Sequence, residues 1–585
     1  MSKTTNLWYL TPWTLALLSV AMPTLAKETV TARIQFGQSI TVQGKGAVAK
    51  AGVVTISKAG VYQLSGTTRN ARVVVDSADK NAITLVLNNL DLSSEVAPIE
   101  IIHAEEVVLS LPAGSKNQVA DTAGARCAAT DNELNAAIYS REDVTITGAG
   151  SLTVQGRCHH GVLSKDSLKI QGGTLLVTAL KDGLRGKDAV HIKAGNITVN
   201  AGSDGVIASN DSDANKGRVV IDGGVLHVTA AHDAVQAASN VLIHGGTLKL
   251  TAGGGAAQAT PKTEWGRGSR FAQNATQDAP SVQGLKAGAD IVISAGKLNI
   301  DAAGDALNAK QQIHIEGGEL HIAAGDDALH ADQALSIQGG NVDIERSYEG
   351  VESRTSITLT GGIVRVRSSD DGINVASGGG FGWGPMRGPS SDGTPSFVMS
   401  GGYVSVESGG DGIDINASAA MTGGTLVVNG PTSNMNGPLD YDGSFQVSGG
   451  TLIASGSAGM AQAPGNFSTQ YSVSVYLSSM VESGTPLRIV DERGNAVLNV
   501  APLKPYQSLV LSSPELKQGQ TYIVYAGGEF TGQATDGVYT KAADYEMGEE
   551  LGRFTVTDTV SYVGGGSRGL GGWGGRGGGR GMGGR

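Results

Sequence analysis

Apolar residues recur along this chain at every second position, in short bursts, and the bursts themselves recur. In GGELHIAAGDDALHADQALSIQGG, residues 317 to 340, Leu320 and Ile322 flank the polar His321, and Leu335 and Ile337 flank Ser336. Period-two alternation predicts half-buried β-strands, and helical spacing is nearly absent. With the second position of each glycine-type pair as origin, origins fall at 173, 195, 224, 246, 296, 318, 340, 362, 402, 424 and 450. The step is 22 residues, or 22 plus an insertion. Two and four positions after the origin stand apolar pairs such as Leu175 and Val177, Leu226 and Val228, Leu298 and Ile300, Val364 and Val366. Three positions before it stand Ile170, Ile192, Ile221, Ile243, Ile293, Ile315, Ile337 and Leu359.

One such coil cannot bury its own apolar face, whereas stacked copies bury a continuous column. The expected fold is therefore all-β, a parallel β-helix of about 22 residues per coil. Fainter strand patterns from 27 to 145, such as ITLVLNNLDL, read as its first coils, and the helix is expected to run over 27–465. From about 466 the register is lost, and YSVSVYL, TPLRIVDERGNAVLNV and QTYIVYAGG predict a small antiparallel β-domain or cap over 466–563. The remaining residues, 564–585, are rich in Gly and Arg and cannot bury enough surface to order themselves.

Nine residues after the origin the chain places Asp182, Asp204, Asp233, Asp305, Asp327, Glu349, Asp371 and Asp411, while Gln283 takes that place in an interrupted coil. In most of these coils a Gly or Ala follows, then an aliphatic residue. Turn chemistry alone accounts for Asp before Gly, with the carboxylate accepting N–H bonds and the glycine taking a left-handed conformation. Stacked coils, however, lie about 4.8 Å apart. Unit charges at that distance repel by about 1 kcal/mol in water and several times that in a less polar setting. Such a column calls for protonation, shielding or cations, and calcium suits carboxylates and turn carbonyls. The expected metal ligands are Asp182, Asp204, Asp305, Asp326, Asp327, Asp370, Asp371, Asp411 and Asp414, with density highest toward the C-terminal half.

Basic residues stand beyond the acid: Arg185 and Lys286 share one position, and Lys187, Lys310 and Arg354 share another. They read either as a solvated face or as a partly basic strip that suits an acidic polysaccharide. Trp265 and Trp383 sit in two insertions, near 254–281 and 377–396, where an exposed ring suits a sugar or a protein surface. His159, His160, His232 and His330 have no zinc spacing and read as surface or turn residues.

Composition narrows the function classes. The chain has 87 Gly, 5% aromatic residues, and 54 acids against 43 bases for a net charge of -11. That balance argues against nucleic-acid binding and is compatible with cations. Residues 1–26, with Lys3, the run TLALLSVAM and PTLA, read as a signal peptide, and no later segment predicts a membrane span. A secreted protein, periplasmic or extracellular, is expected, and there Cys127 and Cys158 are free to form a disulfide or to stay as two buried thiols.

The segments YSREDVTITGAGSLTV, SKDSLKIQGGTLLVTALKDGLRGKDAVHI, GGDGIDINASAAMTGGTLVVNGPTSNMNGPLDYDG and SGSAGMAQAP resemble a bacterial secreted carbohydrate-binding domain family with a pectate-lyase-like right-handed β-helix. The resemblance runs from about residue 50 to 530. It implies a right-handed coil and calcium-assisted polysaccharide binding without an established catalytic role. It also implies Asp182, Asp204, Asp327, Asp371 and Asp411 as calcium ligands. The first expectation is a non-catalytic binder of an acidic glycan such as polygalacturonate, with Arg185, Lys187, Lys286, Lys310, Trp265 and Trp383 as ligand contacts. One alternative is a calcium-dependent polysaccharide lyase, with one of the basic residues as base. Another is a structural or adhesive protein that contacts cell-surface or matrix components.

Overall fold

The computed structural model describes residues 29–122, 134–260, 280–376 and 395–564. The expected signal peptide, Cys127, Trp265, Trp383 and the tail beyond 564 lie outside the described residues. The chain is all-β, and among the described residues the only helical turn is the 3-10 segment Ala256–Gln258.

Each coil contributes three strands. In the coil that begins at Gly173 these are Thr174–Ala179, Leu184–Gly186 and Ala189–Ile192. Each pairs in parallel with its counterpart one coil on: Thr174 opposes Asn196, Leu184 opposes Val206, and Ala189 opposes Arg218. The first two offsets are 22 residues, and the third is longer because extra residues around Asn210 precede Arg218. Repetition of this pattern builds three stacks, a long row, a short row and a third row, whose extended parallel sheets are consistent with a β-helix.

The alternation read from sequence sets which side chains enter the interior. Thr174–Ala179 alternates exposed and buried, so Leu175 and Val177 point inward with almost no exposure. Leu184, Val190 and Ile192 meet them from the other two rows, and equivalent residues fill a continuous apolar column. Each fully buried aliphatic side chain stabilises the fold by about 1.5–3 kcal/mol relative to exposure.

Two glycine positions have different causes. The origin glycine bends the third row into the long row with φ between +79° and +119° at all eleven origins, a region that disfavours side chains. The glycine after the acid is a different case: Gly183, Gly205, Gly350 and Gly372 are not left-handed. A Cβ on Gly372 would run into Val406 Cγ1 and would lie 2.6 Å from the Gly412 carbonyl oxygen. The expected left-handed turn is thus replaced by close approach of the next coil, and the small residue there is a packing requirement.

The parallel register ends at Thr451–Gly456, whose free edge is covered by antiparallel pairing with Tyr506–Ser512. Beyond it, Leu487–Asp491 pairs antiparallel with Ala496–Val500 and with Thr521–Ala526, around a separate apolar cluster that includes Val473, Leu487, Tyr522 and Phe554. Arg365, on the long row, fastens the two regions through Asp536 at 3.2 Å. At the other end Ala32–Phe36 pairs antiparallel with Thr41–Gly44.

Candidate functional site

The turn between the long and short rows carries the acid column. Its first role is a hydrogen-bond ladder between coils. Asp204 Oδ1 accepts the Asp233 N–H at 3.1 Å, Asp233 Oδ1 accepts the Gln283 N–H at 2.8 Å, and Asp305 Oδ1 accepts the Asp327 N–H at 3.1 Å. Further along, Asp371 Oδ1 accepts the Asp411 N–H at 2.7 Å and Asp411 Oδ1 accepts the Gly437 N–H at 2.6 Å. Gln283, at the acid-free position, does the same through its amide oxygen toward the Asp305 N–H. The ladder therefore needs an acceptor, and the negative charge is additional to it.

What balances the charge is set three residues later, by the outward side chain at the middle of the short strand. Parallel pairing lines these up as Arg185, Ile207, Gln236, Lys286, Asn308, His330, Glu352, Asn374, Asp414 and Asp440. At one end the row supplies donors. Asp182 Oδ2 meets Arg185 at 2.7 Å and His160 at 3.2 Å. Burial alone would raise the Asp182 carboxyl, but His160 and Arg185 hold it well below the usual carboxylate range. Lys286 meets Asp233 at 3.2 Å, and Asn308 donates to Asp305 at 2.6 Å. With its amide nitrogen turned to the acids, Gln236 donates to Asp204 at 3.2 Å and Asp233 at 3.1 Å.

His330 belongs to this row and is not a solvated turn residue. Its side chain is 14% exposed, with Nδ1 3.0 Å from Asp327 Oδ2 and 2.5 Å from Glu352 Oε2, and Nε2 3.2 Å from Asp332 Oδ1. Burial alone would favour the neutral ring, yet hydrogen bonds and charge from Asp327 and Glu352 push His330 up to about 11.

Further along, the row itself turns acidic at Asp414 and Asp440. Asp371, Asp411 and Asp414 bring carboxylate oxygens within 4.8 Å of one another, as do Asp305, Asp326 and Asp327. Burial first, then Asp370, Asp411, Asp414 and Glu349, push Asp371 up to about 9. Burial, then Asp411, Asp440, Asp442 and Asp370, push Asp414 up to about 7. Gly410 leaves room here, since a Cβ on it would run into Oδ1 of both Asp370 and Asp371. Tyr348 hydrogen-bonds Asp370.

Beside this cluster Asn374, nine-tenths buried, donates from Nδ2 to Glu349 Oε2 at 2.9 Å on the side of the preceding coil. Its Oδ1, at the opposite corner of the amide, is buried without a partner, and the next residue along the row is Asp414. A buried, unsatisfied carbonyl costs about 1–3 kcal/mol and marks a place that suits a cation.

The basic residues do not form one strip beside the acids. Arg185 and Lys286 are ion-paired within the row, and Lys310 and Arg354 flank Asp332 at 3.3 and 3.4 Å. Lys187 is exposed at the turn that follows Leu184–Gly186. Cys158 is buried, and its expected partner Cys127 lies outside the described residues. Sequence reasoning missed Gln236, Asn308, His330 and Asn374, although all four stand three residues after a column position.

The ladder and its charge separate in one experiment. Asp204 is pushed up to about 7 by burial, then by Asp233 and Asp182. Its folded form holds a proton that the unfolded chain releases near pH 4, so the contribution of Asp204 to stability falls as pH rises from about 4 to about 7. Asp204→Asn keeps an acceptor and should stabilise the chain by about 1–2 kcal/mol near pH 8 in chelator, with the gain vanishing near pH 4. Asp204→Ala, which leaves the Asp233 N–H unsatisfied, should destabilise by about 1–3 kcal/mol. Urea unfolding at the two pH values checks both signs.

Residues 50–328 match the family described as carbohydrate-binding domain-containing protein. A curated relative of that description from Acetivibrio thermocellus is 38% identical over 128 residues, 22% of this chain and 45% of the relative. The chain thus spans less than half the length of that relative. A solved structure described as the polysaccharide lyase-like protein from C. thermocellum, a gadolinium derivative, is 34% identical. It covers 38% of this chain and 92% of its own, with a TM-score of 0.36. Among the described residues no helix is long and apolar enough to cross a membrane. Over residues 50–328, the chain is similar to the carbohydrate-binding domain-containing protein family, the family to which its repeat motifs point.

Proposed function

We propose that this is an exported, right-handed β-helical protein that binds an acidic polysaccharide such as polygalacturonate with the help of calcium, without catalysis. The observation that carries the calcium part is the meeting of Asp371, Asp411 and Asp414, with the orphan Asn374 Oδ1 on the residue that precedes Asp414 in the row. Three gathered carboxylates suit a hard cation that takes 6–8 oxygen ligands at about 2.3–2.6 Å. The remaining ligand positions suit water or a uronate carboxylate. Asp182, Asp204, Asp233 and Asp305 have side-chain donors from their own protein, whereas Asp371 and Asp414 are crowded by other acids. The demand for a cation is thus greatest at the C-terminal end of the column. Asp370 lies beside that end, whereas Asp326 belongs to the other all-acid group. Similarity to a carbohydrate-binding family supports the glycan as partner.

Binding is favoured over lyase chemistry because Arg185, Lys286 and Lys310 are held by Asp182, Asp233 and Asp332. A side chain engaged by a carboxylate of its own protein is not placed to take a proton from a substrate. The test is retardation of the full chain in polygalacturonate gels, with and without chelator. Retardation should require calcium and disappear in Asp414→Asn. Accumulation of ultraviolet-absorbing unsaturated uronate would overturn the non-catalytic reading, and a glycan array with no retained glycan would overturn the binding reading in favour of an adhesive role.

A further inference from the structure

We infer that Asp327, His330 and Glu352 form a second metal site, separate in kind from the all-oxygen cluster and suited to zinc or a similar borderline divalent ion. One ligand atom from each lies within 4.8 Å of the others. His330 Nδ1 faces Asp327 Oδ2 at 3.0 Å and Glu352 Oε2 at 2.5 Å. Donor atoms around a tetrahedral zinc, at about 2.0–2.2 Å from the metal, stand about 3.3 Å apart, so a small spreading of the three groups admits the ion.

The ring is set for this role by its far side. Nε2 meets Asp332 Oδ1 at 3.2 Å, and Asp332 is itself held by Lys310 at 3.3 Å and Arg354 at 3.4 Å. In the metal-free chain both ring nitrogens face carboxylates, so a bound ion would displace the Nδ1 proton to solvent. The carboxylate behind Nε2 would then hold the remaining proton and aim Nδ1 at the metal, the usual outer support of a zinc-bound histidine. The coil register supplies the ligand set: residue 330 follows the acid by three on the same coil, and residue 352 opposes 330 one coil on. A nitrogen with two carboxylates suits zinc, cobalt or nickel better than calcium, which prefers oxygens alone. Side-chain exposures of 11%, 14% and 16% leave a narrow approach for the ion and for water as a fourth ligand.

Zinc titrated calorimetrically into the full chain, with calcium in excess, tests the site. One zinc equivalent should bind that calcium does not displace, and cobalt in its place should give the visible bands of a nitrogen-ligated ion. Glu352→Gln should weaken zinc by at least about 10–100-fold, while Asp414→Asn leaves it unchanged. Should Glu352→Gln fail to fold, Asp332→Asn keeps all three ligands, frees the ring and should still cost about 10–100-fold. Another imidazole pair lies on the surface, where His191 and His244 meet opposite oxygens of Asp222 at 2.7 and 2.9 Å. Absence of zinc uptake, uptake unaffected by Glu352→Gln or Asp332→Asn, or loss of the ion on His244→Gln would each overturn the assignment.

Discussion

Calcium added to the full chain should raise its thermal unfolding midpoint, and the double variant Asp371→Asn/Asp414→Asn should lose that rise. At about a hundred times its dissociation constant, a ligand that binds only the folded state stabilises it by about 2.7 kcal/mol. The double variant should differ from wild type in opposite directions under the two conditions. Without calcium it is the more stable protein, because burial and neighbouring acids push Asp371 and Asp414 up, and amides remove that repulsion. An amide in place of the Asp371 carboxylate also keeps an acceptor for the Asp411 N–H, so the ladder survives. With calcium the order should reverse. Calorimetry in chelator and in calcium reads both, and a variant that still responds to calcium would move the ion elsewhere in the column.

His330→Leu should lower stability by about 3 kcal/mol at neutral pH in metal-free buffer, because it strands charges that the ring now joins. Asp327 is 8% exposed, and the Glu352 side chain 16%. Burial alone would raise the Glu352 carboxyl, and His330 brings it down. Without the ring both acids bind protons more readily folded than unfolded, so the deficit shrinks as pH falls toward the ordinary carboxylate range. A pH-independent deficit in urea unfolding would mean that His330 contributes packing rather than charge.

The repeat was legible because each of its rules is periodic along one chain. Leu175 and Val177 enter the core, origin glycines turn left-handed, and the acids recur. What sequence reading left open, or misread, lies between coils. That Asp305 Oδ1 serves the Asp327 N–H, or that Gly372 is small for the sake of Val406, depends on residues 22 or more apart. Gln283 reads as a gap in the column until its amide is seen to fill the same rung. His330 fails every sequence spacing for a metal ligand because one partner, Glu352, comes from the next coil. The Asn374 oxygen has no signature at all, since an orphan atom is defined by what surrounds it.

The row that begins at Arg185 and ends at Asp440 gives this side of the molecule poles, as a bar magnet has them. Its near end carries cations already joined to acids, and its far end carries acids crowded against acids. A polyanion laid lengthwise would be repelled most at the far pole, and a divalent ion captured there would offset two of that pole's negative charges. Calcium would then do more than hold turns together: its arrival would decide whether a long acidic chain can lie flat along the rod or must lift away at one end.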